Sequence, residues 1–429
     1  MQLRHRKRKT VLPTASLLLS FSVFAIMVLG GLFQRSSKSV NTTTTTASKA
    51  ASGTVVEGAM SSSTSTRHLS KESRLRGALW GLFAGDALSA PTHWYYGGFA
   101  QIQSDYGRRG ITDYTKPVER LAGSILNKSD PNGGGRGGSA SRNGKTIIGD
   151  IINHGKLPFW DKTKSVHYHA TLQRGENTLE AQLVRVLMKS IVDCQGDFDA
   201  NHFRNAYITF MTTPGSHNDT YASTCHRMFF ANLIFHKLDP KDCPDNDMHN
   251  VDAIDGLVLP TIASLAAVAK GKDAAAVAND AAATAAVTRK SAHLEGASRV
   301  WGQLVADALE QSSDDTFVHK SLSDCAKGYG MRYAPSASRQ DQMTACYLQQ
   351  SFPPALDMMA KYVPEGDAWT GLVANANVGG ENVHRGNILG AILGARAGLE
   401  NLPDQLREGL YNKKELEEEI DAFVRAVLR

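Results

Sequence analysis

The stretch GALWGLFAGDALSAP, residues 77–91, decides the fold. The apolar residues in and just before it recur at the three- and four-residue spacing of one helix face: Leu75, Leu79, Leu82 and Phe83. A second face carries only glycine and alanine: Gly77, Ala78, Gly81, Ala84 and Gly85. Because glycine has no side chain to hold a neighbour away, this face lets another backbone come close. The stretch therefore predicts a helix packed tightly against a second helix.

A similar stretch, ILGAILGARAG, lies near the C-terminus at residues 388–398. One face of it is also small: Gly390, Ala391, Gly394 and Ala395. Helical spacing also runs through several segments between the two stretches: residues 179–191, 197–211, 220–238 and the alanine-rich run 255–311. Strand-like alternation is nowhere sustained. We therefore predict an all-α fold with one compact multi-helix domain, residues 71–429, and a Gly/Ser-rich surface insertion at residues 127–145.

Charge is unevenly distributed along the chain of 429 residues, which has a formal net charge of +5. Residues 1–56 hold eight Lys/Arg and no Asp/Glu, so 39 basic and 42 acidic residues remain for the rest. The basic balance belongs to the N-terminal segment and gives no support for a nucleic-acid surface. The five cysteines have no CxxC spacing, which argues against a zinc cluster built on thiolates.

The N-terminal segment predicts a membrane anchor. Residues 1–10 form a basic tail, and the next 23 residues, 11–33, are uncharged and long enough to span a bilayer. Positive charge before the span places the tail in the cytosol and the domain on the lumenal or extracellular side. Residues 34–70 are Ser/Thr-rich and predict a disordered stalk. A cleaved signal peptide and an organelle-targeting segment remain alternatives, the latter because the segment is acid-free.

A Gly-Glu-Asn triplet stands before the helical run at residue 179. In GENTLE, Asn177 is the expected N-cap and Glu180 the acceptor three residues later, which is a capping-box arrangement. Glu176 then lies just before the helix, at the end with free N–H groups.

A second triplet stands in GGENVHRGN, residues 379–387, before the Ile388 run. Its paired glycines allow a tight backbone path. If the two helix ends meet, the side chains of both triplets converge with two further polar residues: Glu176, Asn177, Glu381, Asn382, His384 and Arg385. Such a set suits a hard divalent ion, or two glutamates acting as acid and base on a glycosidic bond. The alternative is that each triplet only caps its helix.

The sequence resembles the ADP-ribosylglycohydrolase family, which includes the dinitrogenase-reductase-activating glycohydrolases and J-crystallins. GALWGLFAGDALSAP matches the family's opening helix, and RGENTLEAQL and VGGENVHRGNILGAILGARAG fall where the family has its two Asp-rich motifs. The segment AAVTRKSAHLEGASRVWGQLVADAL stands at a fourth family block. The resemblance implies a compact all-α domain that cleaves the N- or O-glycosidic bond between ADP-ribose and a protein side chain, using two Mg²⁺ ions.

The resemblance also implies roles for individual residues. It makes Glu176 and Glu381 the catalytic carboxylates. The implied metal ligands are Glu176, Asn177, Thr178, Glu381 and Asn382. The expected substrate-binding residues are His93, His217, Asn218, His384 and Arg385. Apart from the resemblance, His167 and His169 precede Glu176, and their spacing leaves open that they line the pocket or take a surface or core position.

Several positions depart from the family pattern. Asn177, Val383 and His93 stand where the family has acids, so the site loses about three negative charges, and charge count controls affinity for hard ions. The divalent metal, Mg²⁺ by resemblance, is therefore open to being one ion, another metal or none. The predicted partner is an ADP-ribosylated protein or a small ADP-ribose compound, with the membrane as a second partner. The alternatives to a hydrolase are a non-catalytic ADP-ribose-binding relative and a crystallin-like structural protein.

Overall fold

The structure is a computed structural model that describes residues 69–133, 144–245 and 250–429. The basic tail, the predicted span at residues 11–33 and nearly all of the stalk lie outside the described residues, and these assignments stay predictions. Residues 134–143 of the Gly/Ser-rich insertion also lie outside the described residues, so the insertion stays a prediction as well. In the part of the chain that is described, no helix is both long and apolar enough to cross a membrane.

The described chain is all-α, as the sequence predicts, and its extended pairings are single isolated bridges. The helices are α1 (Lys71–Ser89), α2 (Gly98–Tyr106), α3 (Leu179–Asp193), α4 (Ala200–Thr212), α5 (Thr224–Ile234), α6 (Val258–Ala269), α7 (Ala274–Ala285), α8 (Ala292–Glu310), α9 (Asp314–Thr316), α10 (Leu322–Gly328), α11 (Leu348–Tyr362), α12 (Ala368–Val378), α13 (Val383–Ala397), α14 (Asp404–Glu408) and α15 (Lys413–Val427).

Helices α1 and α13 form the centre of the domain and pack antiparallel along their lengths. Their small faces meet directly. A Cβ atom added to Gly81 would lie 2.1 Å from the carbonyl oxygen of Gly390, and one added to Gly85 would lie 2.0 Å from that of Gly386. No side chain fits between the two backbones, which confirms the close approach that the glycine spacing predicts. The antiparallel arrangement also brings the end of α1 beside the start of α13.

The remaining helices surround this pair. The alanine-rich helices α6, α7 and α8 pack on one another, and α3 packs against α4, α6 and α15. Every residue of α13 is buried, and so is nearly all of α1. Polar residues at the ends of these two helices are therefore held away from bulk water.

Candidate functional site

A double glycine sets the entry into α13. Gly379 and Gly380 have φ angles of 73° and 62°, a left-handed conformation that other residues rarely adopt. A Cβ atom at Gly379 would lie 2.5 Å from the Tyr95 carbonyl oxygen. The carbonyl of Gly380 accepts a 2.7 Å hydrogen bond from the Trp94 backbone N–H. The turn thus fixes Glu381 against the segment that follows α1.

Glu381 is fully buried and accepts hydrogen bonds on both carboxylate oxygens. Its Oε1 lies 2.5 Å from His384 Nδ1 and 3.2 Å from His93 Nε2. Its Oε2 accepts from the Trp94 indole N–H at 2.7 Å. Burial alone would raise the pKa of Glu381, but the two histidines hold it well below the usual value. Glu381 is therefore an ionised anchor, and all of its contacts serve to position other side chains.

His384 and His93 respond differently to the same carboxylate. Burial lowers the pKa of both rings, and for His93 this effect dominates and brings the pKa to about 4. For His384 the Glu381 carboxylate outweighs burial and raises the pKa to about 9. The second ring nitrogen of His384, Nε2, has no hydrogen-bond partner among the described residues, and this ring borders a small pocket.

A line of buried side chains extends behind His93. Its Nδ1 lies 2.7 Å from His169 Nε2, and His169 Nδ1 lies 2.8 Å from Asp219 Oδ1. The three residues are at least 98% buried. The other oxygen of Asp219 accepts from the backbone N–H of Leu179 at 2.8 Å. The sequence leaves the position of His169 open, and the structure places it in the core, directly behind His93.

The start of α3 differs from the predicted capping box. The helix begins at Leu179, so Asn177 is not the N-cap, and no capping bond comes from the side chain of Thr178. Instead the buried carboxylate of Asp86 accepts from the backbone N–H and the hydroxyl of Thr178, at 2.7 Å each, and from the Asn177 amide at 3.1 Å. The prediction was wrong because carboxylates from other segments satisfy the free N–H groups of this helix.

Glu180 forms a buried pair with His226, at 2.9 Å, rather than closing a capping box. His226 also contacts the hydroxyl of Tyr207 at 2.8 Å. Burial would raise the pKa of Glu180, but His226 lowers it to about 2, so the pair is ionised.

We expect Glu180→Gln to destabilise the protein by about 3–5 kcal/mol, because it leaves the buried charge of His226 without its partner. Chemical unfolding followed by circular dichroism measures the effect. The matched control is Asp324→Asn, which breaks the exposed pair with Lys320 and should leave the unfolding midpoint unchanged. Equal effects in the two variants would contradict the assignment of a stabilising buried pair.

Glu176 lies apart from the Glu381 cluster. It is half-buried, and its Oε2 accepts from the Gln173 backbone N–H at 2.7 Å and from the Asn218 amide at 3.1 Å. Among the described residues, the only group of ionisable side chains with ligand atoms close enough for one metal ion is His93, Glu381 and His384. The structure therefore brings together three of the predicted site residues, and Glu176 is not a member of that group.

Three further predicted residues have structural partners. Asn218 also accepts from Lys156 at 3.0 Å, and the ring of His217 accepts from the Asp219 backbone N–H at 3.2 Å. Arg385 is fully buried and donates to Asn375 at 2.6 Å and to the Gln342 carbonyl at 2.9 Å. None of the three borders the pocket beside His384.

The small pocket beside Glu381 and His384 is bordered by aromatic and acidic side chains, among them Trp94, Tyr221 and Asp255. One oxygen of Asp255 contacts Arg289, and the other, Oδ1, is buried without a hydrogen-bond partner. Burial raises the pKa of Asp255, against the opposing charges of Arg289 and His384. Asp255 was not predicted, because one Asp in an alanine-rich run carries no signal in the sequence.

The predicted ligands supply few oxygens for a pair of hard ions. The Val383 side chain has no ligand atom and is fully buried in a small apolar cluster with Ala90 and Leu172. The amide nitrogens of Asn177 and Asn382 donate to protein acceptors, the latter to Thr92 at 2.7 Å, whereas the Oδ1 atom of Asn382 is buried without a hydrogen-bond partner. Glu176 and Glu381 do not share a ligand cluster. The ligand atoms that do converge are two imidazole nitrogens and one carboxylate oxygen, a set that favours a softer ion than Mg²⁺.

The fold and the site define an all-α domain whose buried polar centre lies where the end of one central helix meets the start of another. The ADP-ribosylglycohydrolase family model matches residues 67–429, and the chain belongs to that family. No curated protein matches the sequence. Among solved structures, the chain is similar to one described as "ADP-ribosylglycohydrolase-related protein complex", with 16% identity and a TM-score of 0.49, over 83% of this chain and 99% of that chain.

Proposed function

We propose that the protein hydrolyses the glycosidic bond of an ADP-ribosylated protein or of a small ADP-ribose compound. The observation that carries the proposal is the pairing of a donor and an acceptor on one pocket. His384, held by Glu381, offers Nε2–H, and Asp255, held by Arg289, offers a free Oδ1. Family membership supplies the class of substrate.

The proposed reaction needs an acid and a base on opposite sides of the anomeric carbon. Asp255 Oδ1 accepts a proton from water as the water oxygen bonds to the anomeric carbon. The bond from that carbon to the leaving nitrogen or oxygen breaks, and the leaving atom takes a proton from His384 Nε2. Transfer of the proton from Asp255 to His384 through solvent restores both groups, so the net reaction consumes one water.

In this proposal Glu381 acts through His384 as a positioning residue. Its Oε1 contacts His384 and its Oε2 accepts from the Trp94 indole, so the carboxylate orients these two side chains at the border of the pocket. Glu176 has no catalytic role here, since its bonds are to Gln173 and Asn218.

Trp94 and Tyr221 supply the aromatic border of the pocket. Their ring centroids are 5.0 Å apart and the rings are perpendicular. This contact fixes the two rings at right angles beside His384, the proposed acid, and Asp255, the proposed base. The cavity behind them, about 20 Å³, has room for the reacting water, and we assign the aromatic border itself to contact with the ribose or the base of ADP-ribose.

The experiment is incubation of the full-length protein with ADP-ribosylated arginine and serine peptides, followed by chromatography of free ADP-ribose. Release that depends on the protein supports the proposal. Titration calorimetry with ADP-ribose is run in parallel. Binding without release from any substrate would make the protein a non-catalytic ADP-ribose-binding relative.

We expect Asp255→Asn to lower kcat by about 10²–10⁴-fold, because general acid–base groups contribute that much. KM should change little. The control is Asp357→Asn, which alters another Asp–Arg pair outside the pocket, between the buried Asp357 and the partly exposed Arg339 at 2.6 Å. Steady-state kinetics on the two folded variants measures whether Asp255→Asn alone lowers kcat. Unchanged kcat in Asp255→Asn would remove this residue from the mechanism.

A further inference from the structure

The hydrolysis scheme uses Glu381 and His384 but gives no role to His93, which converges with both. One ligand atom of each of the three buried residues lies within 4.8 Å of the others, and Glu381 Oε1 lies 3.2 Å from His93 Nε2 and 2.5 Å from His384 Nδ1. Two imidazoles and one carboxylate form the ligand set of many catalytic zinc sites.

His93 has a contact at each of its two ring nitrogens. Its Nδ1 lies 2.7 Å from His169 Nε2, and its Nε2 lies 3.2 Å from Glu381 Oε1. When an imidazole donates from Nδ1 alone, its Nε2 presents a lone pair. If His93 donates to His169 in this way, its Nε2 and Glu381 Oε1 are two ligand atoms that face each other, and a cation between them would bind both.

In the opposite tautomer His93 accepts from His169 and donates to Glu381, so the surroundings of the two ends decide where a cation fits. Asp219 already accepts from the backbone N–H groups of Leu179 and Tyr221, at 2.8 and 3.3 Å, so its end of the line is supplied with donors. The end at Glu381 has a third ligand atom, His384 Nδ1, and borders the pocket. The cation therefore belongs at the end where Glu381 lies.

The surroundings match those of a metal-bound histidine. Such a histidine usually donates its other ring N–H to an acceptor, which fixes the ring, and here His169 backed by Asp219 is that acceptor. Ligand atoms around a tetrahedral ion with bonds of about 2.0–2.1 Å lie roughly 3.3 Å apart. The 3.2 Å contact between His93 and Glu381 already has this spacing, and the 2.5 Å contact of His384 would widen to reach it.

We propose that His93, Glu381 and His384 bind one borderline divalent ion of the zinc class, with its open position directed at the pocket. Of these three ligands, only Glu381 is among the metal ligands that the family resemblance implies for Mg²⁺, and the other two are imidazoles. The inference goes beyond the proposed function, because it concerns metal binding whether or not the pocket hydrolyses ADP-ribose.

The test is titration of chelator-treated full-length protein with Zn²⁺ and, separately, Co²⁺. We expect one ion per chain by calorimetry, a visible Co²⁺ spectrum typical of nitrogen and oxygen ligands, and no competition from millimolar Mg²⁺. His384→Gln should weaken binding at least 100-fold, and His169→Gln should weaken it about 10–100-fold through the orientation of His93. Glu176→Gln is the control and should bind as the wild type does.

Absence of saturable Zn²⁺ and Co²⁺ binding to the folded wild-type protein would overturn the proposal, as would unweakened binding in both His384→Gln and His93→Gln. Nitrogen NMR of the imidazoles offers a second measurement. An extra proton on His93 or His169 that persists with excess Zn²⁺ would assign the cation as a proton and refute the metal site. No assay here uses substrate, so failure of the metal site and failure of the hydrolase proposal are separate results.

Discussion

Gly81→Val should prevent the protein from folding to its native state. The Cβ atom alone would lie 2.1 Å from the carbonyl oxygen of Gly390, which belongs to a backbone and cannot rotate away. Helices α1 and α13 would have to separate along the centre of the domain. Overpacking of a tight core costs about 1–3 kcal/mol and occasionally more, and a side chain that collides with a backbone between two central helices exceeds that range. Since total stability is about 5–15 kcal/mol, we expect aggregation or a loss of cooperative unfolding.

Two variants test this account with less damage. Gly81→Ala should lower the unfolding midpoint measurably. The matched control is Gly296→Ala in α8, where the helix is exposed and nothing lies within 4 Å of the new Cβ atom. That change should stabilise the protein by about 0.5–1 kcal/mol, because alanine is the better helix former. A Gly81→Ala protein as stable as the wild type would contradict the close packing of α1 and α13.

Glu381→Gln should lower kcat by about 10³–10⁴-fold, comparable to the loss when the carboxylate behind a catalytic histidine becomes an amide. Donors contact both oxygens of this carboxylate: His384 contacts Oε1 and the Trp94 indole contacts Oε2. An amide replaces one of these oxygens with an NH₂ group, so one of the two contacts becomes donor against donor. His384 would then lose the acceptor that orients its ring toward the pocket. Steady-state kinetics at saturating substrate measures the loss, with circular dichroism to show that the variant is folded.

Glu176→Gln is the decisive comparison, because the sequence predicts the same catalytic role for both glutamates. The two bonds of Glu176 are to a backbone N–H and to Asn218, both outside the His93–Glu381–His384 cluster. We expect kcat within about threefold of the wild type, a change of less than 1 kcal/mol in transition-state stabilisation. A loss as large as that of Glu381→Gln would instead support the two-carboxylate site that the triplets suggest.

The central helices could be predicted from sequence because close packing leaves a periodic trace. Glycine recurs at every fourth position of α1 and again of α13. This spacing indicates which face of each helix packs against a neighbour and that the backbone of the neighbour lies close. The start of α3 leaves no such trace. Its N–H groups are satisfied by Asp86 and Asp219, which lie 92 and 40 positions away in the chain from the residues they cap. A local pattern such as GENTLE cannot predict that carboxylates distant in the sequence accept these hydrogen bonds.

The candidate site was predictable to the same limited degree. His93, Glu381 and His384 stand out as polar residues at helix ends, and the antiparallel packing of α1 and α13 brings them together. Glu176 stands out equally, yet in the folded chain it bonds to Asn218 and is outside the His93–Glu381–His384 cluster. Asp255 is exceptional only because of its surroundings, with one oxygen on Arg289 and the other without a partner. Properties of that kind exist only in the folded chain.

The central claim is that this chain catalyses release of ADP-ribose at the pocket bordered by His384 and Asp255. The most direct measurement is the amount of free ADP-ribose formed per chain when full-length protein is mixed with a large excess of ADP-ribosylated peptide. The account predicts many turnovers for the wild type and for Asp357→Asn, and a rate reduced by orders of magnitude for Asp255→Asn. No release by the folded wild-type protein, or equal release by all three proteins, would contradict it.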